Sequence, residues 1–354
     1  MSCRFLKTGD ADMVQLGFIG CGNIARHHAN YLKRMKDVNI LGCFDVKEEA
    51  ASSFAKLFDV KHVLTDQEKF LAIEEIQGVI VASPTYFHPA GVIPAAKAGK
   101  HVFCEKPMSM SVKDCHRMIE ACQYSTVSLT MGFVRRYDNY WGAMNDIIQT
   151  GRIGRPVVWR SVGSFGGGPS HTWFCDAKIG GGPLIDGAVH NYDYALKMFG
   201  PAKRVYASMR TFDPEHTAFD SGTAIIDFKS GDQLLMCWSW GCLKNNSTTS
   251  VNDVVAMMGG FSHDTVPPPE GEDPDKRAAY CIRSRGDQKL YSFEKNDMFA
   301  DQMVSWMQTI REGKAPVSTG RHALEATTIG LAVLHSAATG EVVDLDNLPE
   351  AMLK

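Results

Sequence analysis

The chain has 354 residues, of which 44% are hydrophobic and 22% charged, with a formal net charge of −3. That length exceeds what one core usually supports and suits two domains, and the charge balance offers no basic field to a nucleic-acid partner. No segment has the uninterrupted apolar length of a membrane span, and Met1 to Asp12 lacks the apolar core and cleavage signal of a secretory leader. Ten cysteines are scattered without a C-x-x-C pair or a Cys/His cluster of zinc spacing. A reduced, cytoplasmic protein with no metal site is expected.

Val14 to Ile19 is an apolar run of strand length, and Gly20-Cys21-Gly22-Asn23-Ile24-Ala25 follows at once as G-x-G-x-x-A. Gly20 permits the tight turn, Gly22 lets the backbone approach a pyrophosphate, and Ala25 allows a helix to pack closely on the strand. A helix beginning near Ile24 directs free N–H groups at the phosphates, which makes Gly20, Gly22, Asn23, Ile24 and Ala25 the expected cofactor contacts. The helix runs to about Met35. The strand Asn39 to Phe44 then ends in Asp45, twenty residues beyond Ala25. An acid there accepts from the adenosine ribose hydroxyls and repels a 2′-phosphate, favouring NAD, while Lys47 keeps NADP as the alternative.

The alternation continues with a helix over Glu48 to Phe58, a short strand His62 to Leu64, a short helix Gln67 to Glu74 and a buried strand Gly78 to Ser83. The loop from Ser83 to His88 leaves the same sheet edge as the glycine turn. Ser83 and Thr85 are placed beside the cofactor, and His88 is either a further contact or the first residue of the helix ending at Ala98. The next strand runs directly into Glu105-Lys106-Pro107, so Lys106 stands at a strand end, where open α/β sheets bind ligands. A helix over Ser111 to Tyr124 and a strand over Val127 to Met131 complete a doubly wound parallel sheet of Rossmann type. Arg135 and Arg136 follow. Arg135 is assigned to the cofactor and Arg136 to the substrate, with either one equally able to serve as a solvated pair partner.

Beyond Gly151 the pattern changes. Val157 to Ser164, Lys203 to Thr211, Thr223 to Phe228, Gln233 to Trp240, Val251 to Met257 and Lys289 to Phe293 read as strands joined by short turns, which indicates a large, mostly antiparallel open sheet. The chain therefore divides into a cofactor domain over 12–135 and an α+β domain over 136–354. Asn296 to Glu312 and His322 to Thr339 are amphipathic helices, the second returning to brace the first domain. The proline-rich stretch Pro267 to Asp275 reads as a mobile loop.

Gly180-Gly181-Gly182-Pro183 leads into a segment read as a helix ending at Gly200. Asp186 and His190, four apart, share a face of it. A carboxylate one turn from an imidazole orients the ring and supports its charged form, which suits acid/base work near neutral pH.

The glycine turn, Glu105-Lys106-Pro107 and Asp186-x-x-x-His190, in this order and separation, resemble the glucose-fructose oxidoreductase / inositol dehydrogenase / rhizopine-catabolism (Gfo/Idh/MocA) family over about residues 14 to 340. Met131 to Asp138 followed by Gly151-Arg152-Ile153-Gly154 is similar in particular to the myo-inositol 2-dehydrogenase branch. The resemblance implies oxidation of a secondary alcohol on a cyclitol or sugar by NAD. Lys106, Asp186 and His190 would be the catalytic residues: His190 takes the hydroxyl proton, Lys106 steadies the oxygen, and Asp186 positions hydroxyls. Glu105 and Pro107 would hold the lysine in place, with Glu105 also counted beside the cofactor. Trp173 would offer a flat face to the substrate ring, with His171 or Asp176 bonding its hydroxyls. Two other readings compete: an NAD-dependent glycosidase using transient oxidation, for which Tyr137 is the candidate base, and a non-enzymatic dinucleotide sensor. By analogy with relatives, a homodimer or homotetramer forms through the second sheet.

Overall fold

The computed structural model describes residues 13–164, 172–242 and 250–353. Its N-terminal part alternates β1 (Val14–Ile19), α1 (Asn23–Leu32), β2 (Val38–Phe44), α2 (Glu48–Phe58), β3 (His62–Leu64), α3 (Gln67–Leu71), β4 (Gly78–Val81), α4 (His88–Lys97), β5 (His101–Cys104), α5 (Val112–Tyr124) and β6 (Leu129–Met131). These six strands form one parallel sheet in the order β3-β2-β1-β4-β5-β6. β4 is buried throughout and β1 nearly so, because strands covered by helices on both faces have no side left for water. The order reverses between β1 and β4, and that is where a crevice opens at the carboxyl ends. The glycine turn, the Ser83 loop and Lys106 leave β1, β4 and β5 at that edge.

The remainder contains α6 (Asn139–Gln149), β7 (Val157–Ser164), α7 (Val189–Phe199), β8 (Ala202–Arg210), β9 (Ser221–Phe228), β10 (Gln233–Ser239), β11 (Val251–Ala256), β12 (Gly259–Ser262), β13 (Arg277–Ser284), β14 (Asp287–Glu294), α8 (Met298–Glu312), α9 (Gly320–Thr339), β15 (Val343–Asp344) and α10 (Glu350–Leu353). Nine strands pair in the order β14-β13-β12-β11-β7-β10-β9-β8-β15. Only β7 and β10 run parallel; every other pair is antiparallel. Burial alternates strictly along β7, so Val157, Trp159 and Ser161 point to the helices while Val158, Arg160 and Val162 lie on the opposite face.

Several elements depart from the sequence reading. α6 was not anticipated, although Asp138 caps it by accepting from Tyr140 N at 2.9 Å and Trp141, Met144, Ile147 and Ile148 line its buried face. β12 and β13 were also missed, and α3 stops at Leu71 rather than Glu74. The proline-rich loop is anchored, since Arg277 Nε donates to Glu272 at 2.7 Å. Two helices return to the first sheet, not one. On α8, Trp306 packs against Phe103 with ring centroids 5.5 Å apart, and Arg311 pairs with Asp37 at 2.6 Å. α9 is preceded by Ser318, whose oxygen accepts from Met131 N at 2.9 Å.

Candidate active site

The glycine turn is built for close approach. Gly20 has φ +90°, and a Cβ there would lie 2.7 Å from Ser83 N, so only glycine lets β1 turn against the β4 loop. Gly22 faces open space, with no atom within 4 Å of where its Cβ would stand. Gly22 is also the N-cap of α1, which has no side-chain cap and no acid in its first turn. The helix amides at Asn23, Ile24 and Ala25 therefore meet that space uncapped, as a phosphate site requires. Asp45 accepts from Cys21 N and Lys47 N, both at 2.9 Å, which fixes its carboxylate beside the turn.

Across the crevice, the Ser83 and Thr85 hydroxyls are buried without a protein partner. Unsatisfied hydroxyls at a strand end fit a polar ligand that supplies the missing bonds. His88 does not: its Nδ1 lies 2.8 Å from Pro107 O and its Nε2 2.9 Å from Ser83 O. Both ring nitrogens are committed to main chain and the residue is 1% exposed, so His88 braces the two loops and keeps no polar atom for the cofactor. Glu105 is similarly withdrawn, with one oxygen 2.6 Å from His28 Nε2 and the other accepting from Lys106 N at 3.1 Å.

Lys106 reaches out of the first sheet toward the second half of the chain. Its Nζ donates to Asp186 O at 3.1 Å and lies 3.5 Å from Asp186 Oδ1. The segment carrying Asp186 is not the expected helix. Turns run from Pro183 through Ala188, and α7 begins only at Val189. Ala188 N bonds Pro183 O, five residues back, and Asn191 N bonds Ala188 O, three back. Gly182, at φ +87°, makes this path possible, for a Cβ there would stand 2.3 Å from Phe219 O.

His190 also departs from expectation. Asp186 bonds Lys106 rather than His190, and the His190 Nδ1 is buried with no partner. Burial, then the charges of Lys106 and Arg135, push its pKa well below the ordinary histidine value. These surroundings favour the neutral ring over the supported cation that the sequence suggested. Asp186 is pushed up by burial, against the pull of Lys106.

The two arginines separate clearly. Arg136 makes a forked pair with Asp193, both Arg136 Nε contacts being 2.9 Å, and the pair is buried rather than solvated. It is not free to hold substrate. Arg135 donates to Asn191 Oδ1 at 2.8 Å and lies over the Trp141 ring at 4.2 Å, and burial lowers its pKa to about 10. Asn191 in turn donates to Ser161, which also accepts from Trp238 Nε1, both at 3.3 Å. Trp173 stacks on Phe174 at 3.8 Å. Phe174 O accepts from Gly182 N at 2.9 Å, which ties this aromatic turn to the Asp186 segment. His171 lies outside the described residues. Sequence reasoning missed His28, Gly132 and the indoles of Trp238 and Trp240, which close on Gly187 to 2.9 and 3.1 Å of its Cβ position. No local pattern marks these residues, because their partners lie far along the chain.

Two models of one family match in succession: the oxidoreductase-family NAD-binding Rossmann fold over residues 14–133, and the GFO/IDH/MocA C-terminal domain over residues 141–254. The chain belongs to the GFO/IDH/MocA oxidoreductase family. It is 26% identical to the myo-inositol 2-dehydrogenase of Thermotoga maritima over 347 residues, covering 95% of this chain and 99% of that protein. The scyllo-inositol 2-dehydrogenase (NAD(+)) of Bacillus subtilis is 22% identical over 94% of this chain and 96% of its own. Among solved structures, an Agrobacterium radiobacter oxidoreductase in complex with NAD+, L-tartaric acid and magnesium superposes with a TM-score of 0.79. It is 18% identical, with coverage of 94% of this chain and 98% of that one. Family membership makes the chain an NAD-binding dehydrogenase acting on CH–OH groups, and the uncapped α1 and the partnerless Ser83 and Thr85 hydroxyls fit that cofactor.

Proposed function

We propose that the protein oxidises a secondary alcohol on a cyclitol or sugar ring, with His190 as base and Lys106 as the cation on the reacting oxygen. The observation that carries this reading is one juxtaposition: the Lys106 amine is held on Asp186, and its charge bears on a half-buried imidazole whose buried Nδ1 has no partner. When bound, NAD supplies the acceptor for the hydride that leaves the carbinol carbon. His190 takes the hydroxyl proton. Lys106 donates to the same oxygen and stabilises the negative charge that develops there. Asp186 holds the amine and offers its carboxylate to neighbouring ring hydroxyls. Trp173 provides the flat face against the ring, and Arg135 lines the cofactor side. Gly20, Gly22, Asn23, Ile24, Ala25, Asp45, Ser83 and Thr85 hold the dinucleotide, with Asp45 selecting NAD. Relatives named as inositol dehydrogenases support a ring polyol as substrate.

Relatives named as dehydrogenases support simple oxidation over glycoside cleavage, and burial makes the phenolate of Tyr137, the base an elimination mechanism would need, harder to form. The decisive assay offers NAD and a panel of cyclitols, sugars and sugar phosphates to the purified protein and follows reduced nicotinamide. Turnover of at least one ring polyol is expected; none across the panel, with NAD still bound, would favour a sensing role.

The working division falls at 135/136, with cofactor held before it and substrate and assembly surfaces after it. The outer face of the second sheet is the assembly surface. Tyr206, Val251 and Val255 are exposed there at 45%, 42% and 38%, and a depression of about 410 Å³ opens among Val162, Cys237 and Arg210. Part of its charge is paired in plane, as in Arg204 with Asp227 at 2.6 Å and Arg160 with Asp253, which lowers the cost of covering it with a second copy. A dimer or tetramer by light scattering is the expected result. No helix of the described residues is long and apolar enough to cross a membrane, and the nine free cysteines among them suit a reducing cytoplasm.

A further inference from the structure

We infer that His28 is a positioning residue for the reacting amine: through Glu105 it fixes Lys106, and it ties the cofactor helix to that amine. This rests on the reading of Lys106 given above. His28 lies one turn inside α1, the helix whose uncapped amides face the crevice, and its side chain is fully buried. Its Nε2 stands 2.6 Å from Glu105 Oε1. Burial pushes the Glu105 carboxyl up, but the His28 hydrogen bond and the Lys106 charge outweigh it and hold the group ionised. An ionised carboxylate only accepts, so His28 Nε2 is the donor. The other oxygen, Oε2, accepts from Lys106 N at 3.1 Å.

Glu105 has nowhere else to go. A Cβ on Gly132 would stand 2.9 Å from both of its carboxylate oxygens, so the group lies flat against the backbone that follows β6. Phe103 meets the His28 ring edge-on at 5.2 Å and fixes its plane. A buried hydrogen-bonded polar pair contributes little stability compared with apolar packing of equal volume, but it sets geometry, and here the geometry it sets is that of the residue bearing the amine. The helix that receives the dinucleotide and the strand end that presents Lys106 thus share one hydrogen-bonded frame.

The test compares His28→Leu, which removes the donor, with His28→Gln, which returns an amide N–H near the position of Nε2. His28→Leu should bind NAD within about threefold of the wild type yet lose roughly 30–100-fold in kcat with little change in alcohol KM, as misplacement of a reacting group does. His28→Gln should recover most of that loss. Unchanged kcat in His28→Leu, or no rescue by His28→Gln, would overturn the inference. If His28→Leu does not fold, Glu105→Gln carries the same comparison. A second measurement needs no substrate: acylation of Lys106 by acetic anhydride, read by mass spectrometry against exposed Lys97. His28→Leu should change Lys106 labelling and leave Lys97 alone. Equal Lys106 labelling in both proteins would sink the idea even if the polyol panel gave no turnover.

Discussion

Lys106 Nζ and the main-chain oxygen of Asp186 are 3.1 Å apart although the two residues are separated by 80 positions in the chain. That contact joins the end of β5 to an irregular turn ahead of α7, and it brings the amine near enough for its charge to bear on His190. It holds because the turn does not spend the Asp186 carbonyl on a regular helix.

Removing the amine should abolish turnover without emptying the cofactor site. Lys106→Met is expected to cut kcat by about 10²–10³, the usual cost of one lost oxyanion donor. Cofactor affinity, followed by fluorescence titration with NADH, should stay near the wild-type value because the glycine turn and Asp45 are untouched.

The pH profile follows from His190. Its folded pKa lies below the ordinary 6.5 owing to burial, Lys106 and Arg135, so the base stays neutral as pH falls through that value. The acid limb of kcat/KM should accordingly lie below pH 6.5. Because the unfolded chain protonates this residue first, His190 also costs stability progressively as pH drops below 6.5, and His190→Asn should flatten part of that loss. Lys106→Met removes one of the lowering charges and should move the His190 titration upward, as read by NMR of the imidazole.

Cofactor choice should depend on Asp45. Asp45→Ser removes the negative charge from the end of β2, and the ratio of NAD to NADP efficiency should fall by roughly tenfold or more, since juxtaposed like charges cost several kcal/mol. Measured kcat/KM for both cofactors checks it, and an unchanged ratio would take Asp45 out of the site.

Gly132→Ala should be costly for its size. The added methyl would stand 2.9 Å from both Glu105 oxygens, at a buried position where neither backbone nor carboxylate has slack. A loss of about 1–3 kcal/mol is expected from overpacking, together with lower kcat. Chemical denaturation and steady-state kinetics on the same preparation separate the two effects.

Local chemistry made much of this protein legible in advance. The Gly20-to-Ala25 turn, the acid at Asp45 and the strand running into Lys106 need only neighbours in sequence, because a tight turn, an uncapped helix start and a strand end are properties of short segments. α2 and β3 fall where periodicity placed them for the same reason. The segment after Gly180 misled that reasoning: three glycines and a proline announce a helix start, yet the turn continues through Ala188. There a distant amine takes the Asp186 carbonyl, and Trp238 and Trp240 close over Gly187.

Sequence alone therefore determined the family, the parallel sheet with its cofactor edge, and the identity of Lys106, Asp186 and His190 as the residues to watch. Tertiary structure decided what each of them pairs with and what surrounds it. It gave Asp186 to Lys106 instead of to His190, surrounded the imidazole with groups that lower its pKa, consumed Arg136 in a pair with Asp193, turned His88 into a brace, and placed His28 behind Glu105. Protonation and pairing are set by the dielectric and the charges around a group, and those come from segments far away in sequence.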